Sequence, residues 1–119
     1  MAKDLQFIML LDCYGEFLTE RQRQVSELYY GEDLSLSEIS ELSGITRQAV
    51  RDGIKRSEEI LLSMESKLKF AERLSALREN YSQISDAAKA IAKNVADRPA
   101  ALEKCSFVEM KVQEGLELL

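Results

Sequence analysis

Six polar or basic residues within eleven positions have the types and spacing for nucleic-acid contact: Thr46, Arg47, Gln48, Arg51, Lys55 and Arg56. On a helix, Gln48, Arg51 and Lys55 lie three and four positions apart and share one face. Arg and Gln side chains bond the edges of guanine and adenine, and Lys and Arg pair with phosphates. The hydroxyl and free amides at Thr46 suit a phosphate as well. The stretch therefore predicts a face that binds duplex DNA, and the alternative is an ordinary solvated helix face.

Helix start and stop signals place this stretch on the second of two short helices. Ser35 and Glu38 form a capping box, in which each side chain bonds the backbone amide of the other residue. Gly44 favours a left-handed helix end, and Thr46 can cap the next helix. A helix, a tight turn and a second helix with a basic outer face are typical of a helix-turn-helix module. We expect the following apolar residues of the module to face inward: Ile39, Leu42, Ala49, Val50, Ile54 and Leu61.

Two further helices are predicted before this module. The first runs from Lys3 to Tyr14, ends at Gly15, and has an apolar stripe of Leu5, Ile8, Met9, Leu11 and Cys13. A second capping box, Thr19 with Gln22, opens the next helix, which runs to Gly31. For the adjacent Tyr29 and Tyr30, we expect one ring inside and one at the surface.

Composition favours an all-helical binding protein over an enzyme. The 119 residues include one proline and five glycines, and no stretch alternates as a strand would. There is no histidine, no glycine-rich phosphate loop and no nucleophile elbow, so we expect no catalytic activity and no cofactor. The net charge is −5, which argues against tight unspecific binding to phosphates. Residues 35–57, with four basic and three acidic side chains, are a net-basic segment.

The two cysteines and the apolar runs bear on the compartment. Cys13 and Cys105 are too few for a disulfide framework and belong to no metal-binding cluster, so we expect reduced thiols and no metal. The N-terminus does not resemble a signal peptide, and no apolar run has membrane-spanning length. A cytoplasmic protein without membrane insertion is expected.

The C-terminal part carries a heptad pattern. Apolar residues alternate four and three positions apart over Phe70, Leu74, Leu77, Tyr81, Ile84, Ala88, Ile91 and Val95. This predicts one long helix, followed by a break at Asp97-Arg-Pro99 with Asp97 as the cap of a C-terminal helix. We interpret the seam as a homodimerisation surface, with a helix-turn-helix domain at residues 1–69 and a helical dimerisation arm at 70–119. The alternative is a core helix covered by residues 100–119 of the same chain.

Several segments resemble known bacterial proteins. Leu18-Thr-Glu-Arg-Gln-Arg-Gln-Val-Ser-Glu-Leu-Tyr-Tyr30 resembles the promoter-reading C-terminal region of sigma factors. The resemblance is closer to the YlxM family of small helix-turn-helix proteins. It is carried by Tyr14-Gly-Glu-Phe-Leu-Thr-Glu-Arg-Gln22, Asp33-Leu-Ser-Leu-Ser-Glu-Ile39 and Thr46-Arg-Gln-Ala-Val50, followed by Asp52, Ile54, Lys55 and Arg56.

The YlxM resemblance implies an all-α fold, with a sigma-type helix-turn-helix bundle at the N-terminus followed by a long heptad helix and a C-terminal helix. Genes of the family usually lie beside those of the signal recognition particle, which implies a regulatory role in protein targeting. Two functions result. One is a DNA-binding regulator, and the other is a module that docks on the particle's GTPase or RNA without binding DNA. Ser40 stands where helix-turn-helix proteins usually have alanine, and Ser43 stands where they often have an apolar residue. We therefore expect looser packing of the two helices.

Overall fold

The computed structural model describes residues 3–119, which form six α-helices and, within that range, no strand. These helices are α1 (Gln6–Tyr14), α2 (Glu20–Ser26), α3 (Leu36–Ser43), α4 (Arg47–Leu68), α5 (Phe70–Asn94) and α6 (Pro99–Glu117). A 3-10 turn (Gly15–Phe17) follows α1, and a π-helical turn (Glu27–Gly31) follows α2. The all-α prediction is confirmed. The chain divides into two compact units, one ending at Ala71 and the other formed by Glu72–Leu119.

The predicted starts of α2, α3 and α4 are confirmed, whereas α1 begins at Gln6 rather than at Lys3 and the predicted cap of α6 is wrong. Both capping boxes form, Thr19 with Gln22 and Ser35 with Glu38. The residue that caps α6 is Arg98 and not Asp97, and its side chain makes no capping hydrogen bond. Pro99 occupies the first turn of α6, where its missing amide hydrogen costs nothing because that amide would have no helical partner.

The first unit is organised around α4, which packs on α1, α2 and α3. Its core consists of buried side chains from α1 to α4, from the turns between them and from the first turn of α5: Phe7, Leu10, Tyr14, Leu18, Val25, Tyr29, Tyr30, Ile39, Val50, Ile54, Leu61 and Ala71. Both tyrosines of the Tyr29-Tyr30 pair are buried, so the prediction of one surface ring is wrong. The π-helical turn explains this result, because its wider turn reduces the angle between successive side chains.

The predicted inner face is wrong for α1 and for part of the helix-turn-helix. On α1, the buried stripe consists of Phe7, Leu10 and Tyr14. Of the predicted stripe, Leu11 and Cys13 are half-buried against the core, whereas Leu5, Ile8 and Met9 are exposed. Both stripes have helical spacing, and the one that carries the two aromatic rings buries more apolar area. Two further predicted inward residues are exposed, Leu42 on α3 and Ala49 on α4.

The second unit is a hairpin of α5 and α6. Tyr81 of α5 lies beside Gly115 of α6, where a Cβ on Gly115 would come within 2.8 Å of the tyrosine ring. Ala88 of α5 and Cys105 of α6 line the same groove. Residues early in α5 thus meet residues late in α6, which is antiparallel packing. The alternative that residues 100–119 cover the heptad helix within the chain is therefore confirmed for part of the seam.

Candidate binding surfaces

The helix-turn-helix presents the N-terminal half of α4. Gly44 adopts a left-handed conformation (φ 73°) and ends α3, as predicted. Thr46 caps α4, its hydroxyl oxygen accepting a hydrogen bond from the Ala49 amide at 3.0 Å. That oxygen and that amide therefore satisfy each other, and the Thr46 hydroxyl hydrogen is the group that remains for a phosphate.

The two serines of α3 hold the turn in place. The Ser40 hydroxyl donates to the Ile45 carbonyl oxygen at 2.5 Å, which bonds α3 to the residue just after Gly44. The Ser43 hydroxyl donates to the Ile39 carbonyl oxygen at 2.6 Å. Ile39 and Val50 have no exposed surface, so the contact between α3 and α4 is closely packed. The looser packing expected from these serines is not observed, because the hydroxyls provide hydrogen bonds that alanine lacks.

The outer face of α4 exposes the residues predicted to bind nucleic acid. Thr46, Arg47, Gln48, Arg51, Lys55 and Arg56 are all exposed. Val50, Ile54 and Leu61 are at most 2 % exposed and fix the rotation of the helix, so its polar side faces solvent. Within residues 3–119, the structure gives no ion pair to the four basic residues of this group. We call this set of six residues the α4 face.

Two members of the α4 face lie beside acidic groups. The Gln48 side-chain amide donates to an Asp52 carboxylate oxygen at 3.0 Å, so Gln48 must leave Asp52 before it can bond a base. Arg47 lines a shallow depression together with Asp33 and Glu38. Hydrogen bonds from the Ser35 amide and hydroxyl lower the pKa of Glu38, which keeps that carboxylate charged. The Asp52 and Glu38 carboxylates reduce the positive potential at these two positions, whereas Asp33 is already paired with Lys3 at 3.0 Å.

One basic residue near the α4 face escaped the sequence analysis. Arg21 of α2 is exposed and lines a groove of about 340 Å³ with Ala49 and Gly53 of α4. Its position results from the packing of α2 on α4, which hydrophobic spacing does not specify. The only sequence signal was a basic residue two positions after the Thr19 cap, and that signal is weak.

Comparison with known proteins identifies the family. The profile of the family described as "Putative helix-turn-helix protein, YlxM / p13 like" (UPF0122) matches residues 1–98. The chain belongs to this family. The UPF0122 protein of Oceanobacillus iheyensis is 51 % identical over 83 residues, which cover 66 % of this chain and 79 % of the relative. The UPF0122 protein of Desulforamulus reducens is 41 % identical over 106 residues, which cover 89 % of each chain. That of Clostridium kluyveri is 46 % identical over 86 residues, or 72 % and 78 % of the two chains.

Membership of the YlxM family confirms the resemblance found in the sequence. The whole α4 face lies inside the matched region, and α6 lies beyond it. The three relatives are named only as UPF0122 proteins, so their names carry no statement about a ligand.

In this YlxM-family chain, the predicted dimerisation residues fall into separate groups. Phe70 belongs to the first unit, where its ring stacks on Tyr14. Leu74, Tyr81 and Val95 are half-buried, and Ala88 of the same seam is buried. Leu77, Ile84 and Ile91 are 42 %, 47 % and 53 % exposed. The seam is therefore partly covered by α6 and partly open.

Neither a metal site nor a membrane-spanning helix occurs within residues 3–119. In that range, no group of His, Cys, Asp or Glu is arranged to hold a metal ion. Cys13 and Cys105 form no disulfide there. In the same part of the chain, no helix combines the length and the apolar character needed to cross a membrane.

Proposed function

We propose that this protein is a DNA-binding regulator that contacts duplex DNA through the α4 face. The observation that carries the proposal is the exposure of three basic residues, Arg51, Lys55 and Arg56. They form no ion pair within residues 3–119, and the opposite side of their helix is buried in the core. A cation without an internal partner gives up only solvent when it pairs with a phosphate. The stretch Arg47–Arg56 rises about 14 Å, close to the roughly 12 Å width of the major groove.

The number of cations predicts modest, salt-sensitive binding. Four basic side chains on the α4 face would neutralise about four phosphates, which gives a slope of log K against log salt of about −3.6. Affinity would then fall roughly 100-fold between 50 and 200 mM salt. A complex with 6 to 10 phosphate contacts would lose about 10³ to 10⁵ over the same range. The slope therefore reports how many of these side chains reach phosphates.

Fluorescence anisotropy of labelled genomic duplexes between about 50 and 200 mM salt tests this proposal. Arg51→Ala should weaken binding and make the slope shallower by about 0.9. Asp52→Asn should strengthen binding, because it removes the negative charge that lies beside Gln48 of the α4 face. Arg78→Ala removes an exposed arginine of α5 and is the matched control, expected to bind like the wild type. Absence of binding at the lowest salt would contradict the proposal, as would equal effects of the Arg51 and Arg78 variants.

A second candidate function is docking on the signal recognition particle, through its RNA or its GTPase, without DNA binding. The acidic net charge of −5 and the carboxylates beside Arg47 and Gln48 favour docking on the GTPase, because they weaken attraction to the phosphates of DNA and of RNA alike. Parallel binding assays separate the candidates. If the particle's RNA or GTPase binds under conditions in which labelled DNA does not, the second function is supported. In either function the protein acts in the cytoplasm as a binding protein without catalytic activity.

A further inference from the structure

The hairpin of α5 and α6 exposes one apolar face. A groove of about 490 Å³ runs between the two helices. Its walls include Ile84, Ala87 and Ile91 from α5 and Ala101 and Val108 from α6. Three of these are large apolar residues with 38 % to 53 % of their surface exposed. We call this surface the hairpin groove.

The distribution of charge on α5 shows that the open face differs from an ordinary solvated surface. Beside the exposed heptad positions lies a strip without charge: Ala76, Asn80, Gln83, Ala87, Ala90 and Asn94. The charged residues over the same length of α5 lie on the other side: Arg78, Glu79, Asp86, Lys89 and Lys93. Charged residues make up 31 % of the chain, so a charge-free strip along most of a helix is typical of a packed face.

The hairpin is too small to bury a core of its own. The buried apolar residues of Glu72–Leu119 are Ala88, Cys105 and Val112, of which one is an alanine. Units of about 40 to 50 residues usually need a further source of stability, and oligomerisation is one such source. Two helices with an apolar face are half of a four-helix bundle, and a second identical hairpin would complete it.

The size and spacing of the open face fit a second copy. The 19 residues from Ala76 to Asn94 rise about 28 Å, and two adjacent helices are about 20 Å wide. The resulting face of roughly 560 Å² is comparable with the approximately 800 Å² per partner of a standard interface. The exposed Leu77, Ile84 and Ile91 recur every seven residues, which is the repeat that keeps one side of a helix against a partner helix in a left-handed supercoil.

We propose that the hairpin groove is the homodimer interface, in which two copies of α5 and α6 form a four-helix bundle. The interface includes α6 and excludes Phe70, which distinguishes it from a two-stranded coil along the complete heptad seam. This pairing does not depend on what the α4 face binds.

Mass measurement of the full chain tests the proposal. Sedimentation or light scattering from about 1 to 100 μM should give twice the chain mass of 13.5 kDa for the wild type. Lys104 of α6 also lines the groove, and none of the described residues that line it is acidic. Ile91→Lys should therefore weaken dimerisation by at least about 100-fold, because each dimer would bury two further ammonium groups without carboxylate partners in the groove. Phe107→Lys is the matched control: Phe107 is 55 % exposed, against 53 % for Ile91, and lies outside the groove. It should dimerise like the wild type.

Cross-linking provides a readout that places no charge in the hairpin groove. With Cys13 and Cys105 replaced by serine, Ala87→Cys should be cross-linked between chains by a short bifunctional maleimide, whereas Met110→Cys should not. A monomeric wild type at 100 μM would overturn the proposal. Equal dissociation by the Ile91 and Phe107 variants, or equal cross-linking at residues 87 and 110, would also overturn it. Arg51→Ala should remain dimeric, so loss of DNA binding and loss of pairing are distinguishable.

Discussion

Replacement of Tyr14 by phenylalanine should destabilise the first unit by removing a hydrogen-bonded link at the junction of α4 and α5. The Tyr14 hydroxyl donates to a Glu65 carboxylate oxygen at 2.6 Å and accepts from the Phe70 amide at 3.0 Å. The same oxygen of Glu65 accepts from the Ala71 amide at 3.0 Å. The first amides of a helix have no partner within the helix, so Tyr14 and Glu65 together act as the cap of α5. Lys69, with a φ of 56°, makes the turn between α4 and α5.

The magnitude follows from the two bonds that Tyr14→Phe removes. A hydrogen bond to a charged group contributes about 1.5–3 kcal/mol, and an unpaired buried amide costs about 1–3 kcal/mol. The Phe70 amide can recover part of this from water, so we expect a net loss of about 2–3 kcal/mol in the free energy of unfolding. At an m-value of about 1.5 kcal/mol per molar urea, the midpoint would fall by roughly 1.3–2 M.

Tyr30→Phe provides the matched control. The Tyr30 hydroxyl also donates to a carboxylate at 2.6 Å, that of Glu58, but it accepts no hydrogen bond from a helix amide. Urea unfolding followed by circular dichroism should show a smaller loss for Tyr30→Phe than for Tyr14→Phe. Hydrogen exchange should accelerate at the amides of Phe70 and Ala71 only in the Tyr14 variant. Equal losses in the two variants, or a loss below about 0.5 kcal/mol for Tyr14→Phe, would refute this account of the junction.

Three further predictions concern stability. Ser26→Ala should stabilise the fold by about 0.5–1 kcal/mol in urea unfolding, because the buried Ser26 hydroxyl has no hydrogen-bond partner within residues 3–119. Ser57 is equally buried, but its hydroxyl donates to the Gly53 carbonyl, so Ser57→Ala is the control that should gain less. Ser40→Ala should cost about 1 kcal/mol through loss of the bond to the Ile45 carbonyl; no loss would mean that the turn does not need it. Burial, aided by Glu65 and Glu58, raises the pKa values of Tyr14 and Tyr30, so above about pH 10 the unfolded chain loses protons that the fold retains. The urea midpoint should therefore fall with rising pH there, and less steeply in the tyrosine-to-phenylalanine variants.

The sequence predicted best those parts of the fold that are determined by local bonding. The two capping boxes, the left-handed Gly44 and the Thr46 cap depend on residues within four positions of one another, and all are confirmed. The inner faces of α1 and α3 were less predictable. Leu5 and Leu42 have suitable spacing, yet they are exposed because other elements determine which side of the helix is covered. Spacing alone does not contain that information.

The sequence did not predict contacts between residues far apart along the chain. Tyr14 and Glu65 are 51 positions apart, and neither belongs to a motif that predicts a shared hydrogen bond. The position of Arg21 beside α4 likewise depends on how α2 crosses that helix. The candidate nucleic-acid face itself was predictable in composition and exposure, because one helix contains all six residues. Their acidic neighbours were only partly predictable, because Asp33 and Arg47 line the same depression only once the chain is folded.

Because α4 is one continuous helix, nucleic-acid binding at its Arg51 end and fold stability at its Glu65 end should respond to different substitutions. This helix has 22 residues, and Arg51 lies about 21 Å along its axis from Glu65. Val50, Ile54 and Leu61 anchor its length in the core, so a perturbation at the Glu65 end has no route to rotate the Arg51 end without breaking that packing. Tyr14→Phe should accordingly lower stability while leaving the salt slope of nucleic-acid binding unchanged, and Arg51→Ala should do the reverse. If either variant altered both properties, α4 would not behave as one rigid element, and the assignment of separate roles to its two ends would fail.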